Sequence, residues 1–471
     1  MATTGQGSAD TPIRIDDDGT FAVRGDTMDG TSRRSFITGA SAALLAGGVG
    51  GGATAAAANT NSDVGRARGD ATLRIGLIGC GGRGTGAAAQ ALSTSGAVEL
   101  VAMADAFEDR VENCYARLAE QAENGSFENG KRLQVPSENR YVGFDAYRKV
   151  IDSGVDVVVH ATPPGFRPEH FEYAVEQGKH VFMEKPVAVD APGVRRVLKA
   201  AKAAKEKNLK VGVGLQRHHS AMYNETIDRI HDGAIGDVVA MRVYWNGSGV
   251  WVRARKPGQT EMEYQMRNWY YFNWLCGDHI VEQHIHNIDV GNWVKGGHPV
   301  EAQGQGGRQW RNGPDHGEIF DHHFVEYTYD DGAVMLSQCR HIQNCWDQVA
   351  EYAHGSKGRA SLASGLIEAP GGWNHREPED EKSPYQVEHD RLFEAIREDK
   401  PFNEAKNGAI ATMTAVMGRM ATYSGKKITW KEALKSDRSL EPATYAWDAA
   451  PPTVPDEKGR YAVAVPGVTK A

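Results

Sequence analysis

A glycine-rich turn, Gly79-Cys80-Gly81-Gly82-Arg83-Gly84, directly follows the apolar run 73–78 and opens a stretch of small residues over 85–92. In such a strand–turn–helix context, the spaced glycines allow a tight turn, close approach of a diphosphate to the backbone, and close packing of helix on strand. The amides at the start of the helix attract phosphate charge. All six residues of the turn are therefore predicted to contact a dinucleotide cofactor.

An acidic residue ends the next apolar run. Asp105 closes the stretch 98–105 and lies 21 residues after Gly84. An acid at this place accepts hydrogen bonds from the ribose hydroxyls of NAD and disfavours the 2′-phosphate of NADP. We therefore expect NAD, rather than NADP, as the cofactor.

Further reactive or polar residues follow three later apolar runs. Thr162 and Pro163 follow the run 155–161, Glu184 and Lys185 follow 180–183, and Gln216 follows 211–214. In a parallel sheet, ligands bind beyond the carboxyl ends of the strands. These five residues are predicted to converge on the cofactor with Asp105.

A stretch predicted as one helix over 278–294 carries two histidines and two acids at positions 279, 282, 286 and 289. On a continuous helix these residues share one face. Imidazole and carboxylate groups suit acid–base chemistry near neutral pH. The alternatives are a divalent metal site and plain hydrogen bonding; since no compact zinc motif is matched, we predict no metal.

The order of predicted elements indicates an α/β fold with two domains. Strands alternate with helices from 73 to about 210, which predicts a doubly wound parallel sheet over 73–215. Successive strands after about 236 predict an α+β domain with an open, largely antiparallel sheet over 216–436, followed by an extended tail over 437–471. The aromatic-rich stretch 246–275 is either part of a core or interface, or a stacking platform for a sugar ring.

The N-terminal region has the form of a twin-arginine export signal. Arg33 and Arg34 precede Phe36 and an uncharged small-residue stretch over 38–58. We predict a disordered region and signal peptide over 1–58, a linker over 59–72, and export by the twin-arginine translocase to the periplasm or beyond. This route carries folded proteins, so it suits a protein that binds its cofactor before export.

Composition excludes several classes of protein. The chain has 471 residues and a net charge of −8, so it lacks the basic field that nucleic acids require. No stretch is apolar enough for a stable membrane span. Its five cysteines show no C-x-x-C spacing, which argues against a thiolate zinc site or a disulfide framework. An open sheet face favours a homo-oligomer.

The chain resembles the Gfo/Idh/MocA oxidoreductase family from about residue 73 to 436. The matching motifs are the glycine turn and four later segments, at 161–164 with His170 beyond, 184–186, 233–236 and 282–289. The resemblance implies a Rossmann domain, an open-sheet α/β domain, and oxidation or reduction of sugars, cyclitols and related compounds with NAD or NADP.

The resemblance also implies roles for individual residues. Lys185 matches the catalytic lysine and His286 the catalytic histidine, whereas Glu282 stands where the family usually has aspartate. Glu282 is expected to orient His286. Arg217 and Tyr223, in a stretch that lines the crevice between domains in the family, are predicted substrate contacts together with His284; bonding between the domains is the alternative.

These expectations favour an exported, NAD-linked oxidoreductase for a sugar, glycoside or cyclitol, with tightly held cofactor. Two alternatives remain. A redox-neutral glycosidase would oxidise a sugar transiently, eliminate the aglycone and reduce the product, whereas a non-catalytic carbohydrate-binding scaffold would perform no chemistry. Release of an aglycone without net redox change would distinguish the glycosidase.

Overall fold

The first sheet explains why the first run of apolar residues is buried on both faces. The computed structural model describes residues 71–127, 132–378 and 380–470. The sheet is entirely parallel, with strand order β3-β2-β1-β5-β6-β7 and β4 paired to β2. Its strands are β1 Leu73–Ile78, β2 Val98–Asp105, β3 Arg132–Leu133, β4 Arg140–Val142, β5 Val157–His160, β6 His180–Met183 and β7 Val211–Val213. Strand order reverses between β1 and β5, which creates a crevice at their carboxyl ends.

Helices cover both faces of this sheet, as a parallel sheet requires. They are α1 Gly82–Leu92, α2 Glu108–Glu123, α3 Ala146–Asp152, α4 Arg167–Glu176 and α5 Ala191–Glu206. The carboxylate of Asp190 caps α5 by accepting a hydrogen bond from Gly193 N–H at 2.8 Å.

The second sheet has nine strands in the order β15-β14-β13-β12-β8-β11-β10-β9-β16. Only β8 and β11 are paired in parallel among the described strands of this sheet, and its other pairs are antiparallel. The structure thus confirms the predicted α/β fold class. The strands are β8 Val238–Gly247, β9 Glu301–Gly307, β10 His322–Thr328, β11 Val334–His341, β12 Gln348–Gly355, β13 Arg359–Ser361, β14 Leu366–Glu368, β15 Trp373–Asn374 and β16 Ile428–Thr429.

Eight further helices follow β7 in the described part of the chain. They are α6 Ala221–His231, α7 Glu261–Arg267, α8 Asn273–Cys276, α9 His279–Glu282, α10 Ile285–Lys295, α11 Pro384–Arg397, α12 Ala405–Ser424 and α13 Trp430–Lys435. Helix α12 is buried on nearly all sides because it packs on α5 of the first domain and on β9 of the second. Helix α11 lies within the range 216–436, yet it packs on α1 and β7, and its Leu392 and Phe393 join the core of the first sheet.

The prediction of a single helix over 278–294 is wrong. The segment forms α9 and α10, with a turn at Gln283 and His284 between them. The side chain of Gln283 pairs with His341 at 2.8 Å and that of His284 with Ser337 at 2.8 Å, both on β11. These contacts with the sheet hold the turn, so the predicted one-face stripe at 279, 282, 286 and 289 does not form.

The C-terminal tail lies against both domains without forming a helix or strand over 436–470. Leu440 N–H donates to the Asp190 carboxylate at 2.7 Å in the first domain. Farther along, the Thr453 carbonyl accepts from Gln265 at 2.7 Å, and the Tyr461 ring packs on Phe272 at 4.9 Å in the second domain. The aromatic residues between 246 and 275 form one buried cluster with this tail, which favours the core interpretation over a sugar platform.

The export signal, the membrane spans and the cysteines remain to be compared with the structure. The predicted signal peptide and nearly all of the linker lie outside the described residues. Within the described ranges, no helix combines the length and apolar character that crossing a membrane requires. All five cysteines are free thiols, and four of them are buried.

Candidate active site

The glycine turn has the geometry of a phosphate cradle. Gly79 has a φ of +97°, which disfavours other residues, and a Cβ on Gly84 would lie 1.8 Å from the Gly79 carbonyl oxygen. A Cβ on Gly81 would meet nothing within 4 Å. Gly81 is the N-cap of α1 and makes no side-chain hydrogen bond, so the first amides of the helix have no side-chain cap. This cradle fits the diphosphate of a dinucleotide.

Asp105 lies beside the turn at the end of β2. Its carboxylate accepts hydrogen bonds from Cys80 N–H at 2.8 Å and from Phe107 N–H at 3.1 Å. Burial raises the pKa of Asp105, although these two amides lower it. The remaining lone pairs suit a ribose diol, so the position fits an adenosine ribose.

The side chain of Arg83, predicted as a cofactor contact, points to protein partners instead. Its Nε pairs with the Glu184 carboxylate, Nη1 donates to Gln90 at 2.8 Å, and Nη2 lies 3.3 Å from Glu388. Two acids therefore neutralise this guanidinium, which leaves only the backbone of Arg83 facing the cradle. The carboxylate of Glu184 is thus bonded to Arg83, and it also packs against the backbone of Gly214, which has no side chain.

Arg167, which sequence reasoning missed, joins the loops after β5 and β6. This buried guanidinium donates to the Pro186 carbonyl and, at 2.6 Å, to the Thr162 carbonyl. Burial lowers its pKa to about 10. The Thr162 hydroxyl also pairs with His160 Nε2 at 2.7 Å. An arginine at the start of α4, straight after the 162–164 turn, was the available signal.

Lys185 and Glu282 meet across the two domains. Lys185 Nζ donates to the Glu282 backbone carbonyl at 2.7 Å and lies 3.3 Å from its Oε1. The expectation that Glu282 orients His286 is therefore not what the structure shows, because α9 ends at Glu282 and directs its carboxylate to the lysine. An ammonium has three N–H donors, so one remains for a ligand.

His286 is a buried imidazole at the second residue of the next helix, α10. Burial lowers its pKa well below the ordinary value, and the positive charge of Lys185 lowers it further. Nδ1 makes no hydrogen bond, and the ring stacks on Trp245 with centroids 5.9 Å apart. The side chain is thus neutral at physiological pH and able to accept a proton.

Tyr270 was also missed, and it lies beside the same acid. Burial raises the pKa of Tyr270 well above its usual value, and the Glu282 charge raises it further. Its hydroxyl is a buried donor close to the lysine–glutamate pair.

Arg217 and Tyr223, which were predicted to contact the substrate, form hydrogen bonds with other residues of the protein. Arg217 pairs with Glu351, which also accepts from Tyr223 at 2.9 Å and from Asn287. All four side chains are buried. The network ties the turn after β7 to α10 and β12, which corresponds to the alternative of bonding between elements.

The remaining predicted residues are buried or half-buried and contact other parts of the protein. His284 has no exposed surface, and burial lowers its pKa to about 3. Asp289 pairs with His218 at 2.7 Å. Gln216 is half-buried in the turn after β7, beside Tyr385.

Comparison with known proteins agrees with this geometry. Residues 73–215 match the model of the oxidoreductase family with an NAD-binding Rossmann fold, and residues 223–361 match the GFO/IDH/MocA C-terminal domain. The chain belongs to the Gfo/Idh/MocA family. The family includes NAD-dependent oxidoreductases of sugars and cyclitols, and this member has the nicotinamide-dinucleotide domain in its expected place.

Individual relatives of this family member are distant. Inositol 2-dehydrogenase of Rhizobium meliloti (strain 1021) is 27% identical over 288 residues, covering 61% of this chain and 74% of that protein. Against several other curated relatives the chain spans about half of their length.

Solved structures share the fold of this family member. An aldose-aldose oxidoreductase from Caulobacter crescentus, complexed with glycerol, aligns with a TM-score of 0.58 at 19% identity, covering 76% of this chain and all of that one. Levoglucosan dehydrogenase, in complex with NADH and levoglucosan, aligns with a TM-score of 0.58 at 17% identity, covering 76% of this chain and 99% of that one.

Proposed function

We propose that this protein is an exported oxidoreductase that uses tightly held NAD to oxidise a hydroxyl group of a sugar, glycoside or cyclitol. The observation that carries the proposal is the pairing of Lys185 with Glu282 beside a neutral His286. The inositol dehydrogenase and levoglucosan dehydrogenase relatives support this substrate class.

The proposed chemistry assigns one task to each residue. Bound NAD supplies the hydride acceptor. His286 accepts the proton of the reacting hydroxyl at an imidazole nitrogen, because burial keeps the ring neutral. The third N–H of Lys185 donates to the hydroxyl oxygen and stabilises the negative charge that develops there. The carboxylate and the backbone carbonyl of Glu282 hold the Lys185 ammonium in place.

Asp105 supports NAD over NADP. Its carboxylate is fixed by Cys80 and Phe107 amides, so a 2′-phosphate at the ribose would face a negative charge with no adjacent arginine side chain directed to it from the turn. Arg83, the cation of the turn, is already paired with acids.

The proposal of export with bound cofactor is supported by one feature of the chain and by one property of the space outside the cytoplasm. The twin-arginine pattern at Arg33 and Arg34 predicts transport of a folded protein. Outside the cytoplasm no free dinucleotide pool is maintained, so a retained cofactor must be re-oxidised or re-reduced in place by a second substrate.

The deciding experiment is mass spectrometry of dinucleotide released by denaturing protein purified from the exported fraction without added cofactor. We expect near-stoichiometric NAD or NADH. NADP would overturn the interpretation of Asp105, and an empty site in the exported protein would overturn tight retention.

The reaction class is tested by incubating the holoenzyme with inositols, aldoses and aryl glycosides. A product two hydrogens lighter than its substrate supports the oxidoreductase. Release of an aglycone with no net redox change would replace it by the redox-neutral glycosidase, and no turnover of any polyol would favour the binding scaffold.

A further inference from the structure

We propose that the second domain binds a divalent transition metal through Asp278 Oδ1, His279 Nε2 and His323 Nε2. This inference is independent of the proposed function and involves none of the residues assigned to it. Asp278 is the N-cap of α9, His279 is the first residue of that helix, and His323 lies on β10. All three side chains are buried completely or nearly so.

The Asp278 carboxylate and the two imidazoles already lie close together. His279 Nε2 is 3.8 Å from Asp278 Oδ1, and His323 Nε2 is 3.3 Å from Asp278 Oδ2. One ligand atom from each residue can be chosen so that all lie within 4.8 Å of one another. Tetrahedral ligands at about 2.0–2.1 Å from zinc lie roughly 3.3 Å apart, so small side-chain movements close the site.

The hydrogen bonds around His323 present a lone pair to the site. The Thr422 hydroxyl donates to the Arg419 carbonyl at 3.1 Å, so it accepts from His323 Nδ1–H at 2.9 Å. His323 Nε2 is then a lone pair beside a carboxylate, and it makes no hydrogen bond of acceptable geometry. Such an orienting partner on the far nitrogen is typical of metal-binding histidines.

His279 supplies the second and independent observation. Its Nε2 has no hydrogen-bond partner although the side chain is buried. This nitrogen lies 3.8 Å from Asp278 Oδ1, which is beyond hydrogen-bond distance. An orphaned buried nitrogen costs about 1–3 kcal/mol, and a metal ion would satisfy it.

Asp278 keeps one oxygen open for a metal. Its Oδ2 accepts from the Tyr423 hydroxyl at 2.6 Å and from Phe320 N–H at 3.0 Å, which uses both in-plane lone pairs. Its Oδ1 accepts only from His279 N–H, at 2.5 Å, among the hydrogen bonds the described residues make to it. One carboxylate and two imidazoles suit Zn²⁺, Fe²⁺ or Mn²⁺, with the fourth position left for water.

The position suggests what the metal would do. Helix α9 begins at His279 and ends at Glu282, which binds Lys185. A metal at the first turn would fix the segment that carries this lysine contact. The competing arrangement is a simple ion pair between Asp278 and His323, which leaves His279 Nε2 unsatisfied.

The test is metal analysis of the full chain by mass spectrometry after refolding from denaturant with chelator and then with zinc, cobalt or manganese. We expect about one ion per chain in the wild type and in the control variant His322→Gln, whose side chain is partly exposed and pairs with Asp321. The variants His279→Gln and His323→Gln are expected to lose the ion. Cobalt-refolded wild type should show visible d–d absorption that both variants lack.

Thermal unfolding gives a second readout, since an ion that binds only the folded state raises the midpoint. We expect metal to raise the midpoint of wild type and His322→Gln alone. If refolded wild type binds no ion and its midpoint is unchanged, the ion pair is the correct description. Equal metal content in wild type and in either folded ligand variant would place the ion elsewhere and also overturn the proposal.

Discussion

Lys185 Nζ lies 2.7 Å from the backbone carbonyl of Glu282, and this bond joins the strand-end loop of the first domain to the end of α9 in the second. A backbone acceptor cannot be removed by changing the Glu282 side chain. The ammonium therefore keeps its position by two separate contacts, one of which is independent of the carboxylate.

Replacing Lys185 with methionine keeps the length of the side chain and removes its three donors. We expect kcat to fall by about 10²–10⁴-fold, the range typical for loss of a group that moves or stabilises a proton. Retained dinucleotide, measured after denaturation, should stay unchanged. Lys202→Met, at an exposed helix position, is the matched control. Loss of cofactor together with activity would assign Lys185 to binding instead.

The decrease of kcat/KM at low pH should reflect protonation of His286. Because burial and Lys185 lower its pKa well below the ordinary value of about 6.5, the imidazole remains a proton acceptor in mildly acidic solution. We expect kcat/KM to stay flat as pH falls through 6.5 and to decline only at lower pH. The pH profile of hydride transfer checks this, and an inflection at or above 6.5 would contradict it.

Buried neutral histidines should also make folding acid-sensitive. Burial lowers the pKa of His170, His284 and His341 to about 3, so below pH 6.5 the unfolded chain binds more protons than the native one. The free energy of unfolding is therefore expected to decrease as pH falls from about 6.5 towards 4. Urea unfolding at a series of pH values measures this slope.

His389 offers a way to reduce that acid sensitivity. It packs on Phe182 with ring centroids 4.0 Å apart, and neither of its nitrogens makes a hydrogen bond. Burial lowers its pKa well below the ordinary value. We expect His389→Leu to unfold at a higher urea concentration, with a free energy of unfolding about 1 kcal/mol above that of the wild type. The variant should also lose less of this free energy in acid than the wild type. A destabilised variant with an unchanged acid slope would contradict this account.

Cofactor choice should depend on Asp105. Asp105→Asn keeps an acceptor for only one of the Cys80 and Phe107 amides, because these bond to different oxygens of the carboxylate, and it removes the negative charge. We expect the preference for NAD over NADP to decrease by about tenfold or more, as a change of 1–2 kcal/mol implies. Refolding with each dinucleotide, followed by measurement of the bound fraction, checks it. Asp109→Asn, in the exposed ion pair with Arg267, should leave the ratio unchanged.

Retention of the cofactor should depend on the tail. Trp447 packs on Phe107 and Phe144, with ring centroids 5.1 and 4.6 Å away, and Phe107 follows Asp105 by two residues. We expect Trp447→Ala to release dinucleotide faster on dilution, by about tenfold if some 1–2 kcal/mol of packing is lost. Val454→Ala, at an exposed tail position, is the control. Equal release rates would separate the tail from retention.

The sequence predicted those parts that depend on neighbours along the chain. The glycine turn, the strand-end position of Asp105 and the alternation of strands and helices all follow from local spacing, and the parallel sheet places them at one edge. The helix break at Gln283 could not be predicted in this way, because its cause is a hydrogen bond to His341, 58 residues later.

Partners that are distant in sequence also determine what Arg217 and Arg83 bind. Arg217 carries a charge that suits a polar ligand, and nothing near it in sequence shows that Glu351, 134 residues away, neutralises it. Arg83 is similarly paired with Glu388, 305 residues away. Sequence spacing identifies which groups are capable of chemistry, whereas tertiary packing decides which of them are already engaged.

The path of the C-terminal tail has a mechanical consequence. The chain crosses from the first domain to the second at residues 215–216 and returns to the core of the first sheet with α11. The tail then spans both domains again through Leu440 and Tyr461. A hinge opening between the domains would have to detach this segment along its length. The crevice is therefore expected to keep a nearly constant width during turnover, so that substrates exchange along its open side while the two sheets stay at a fixed separation.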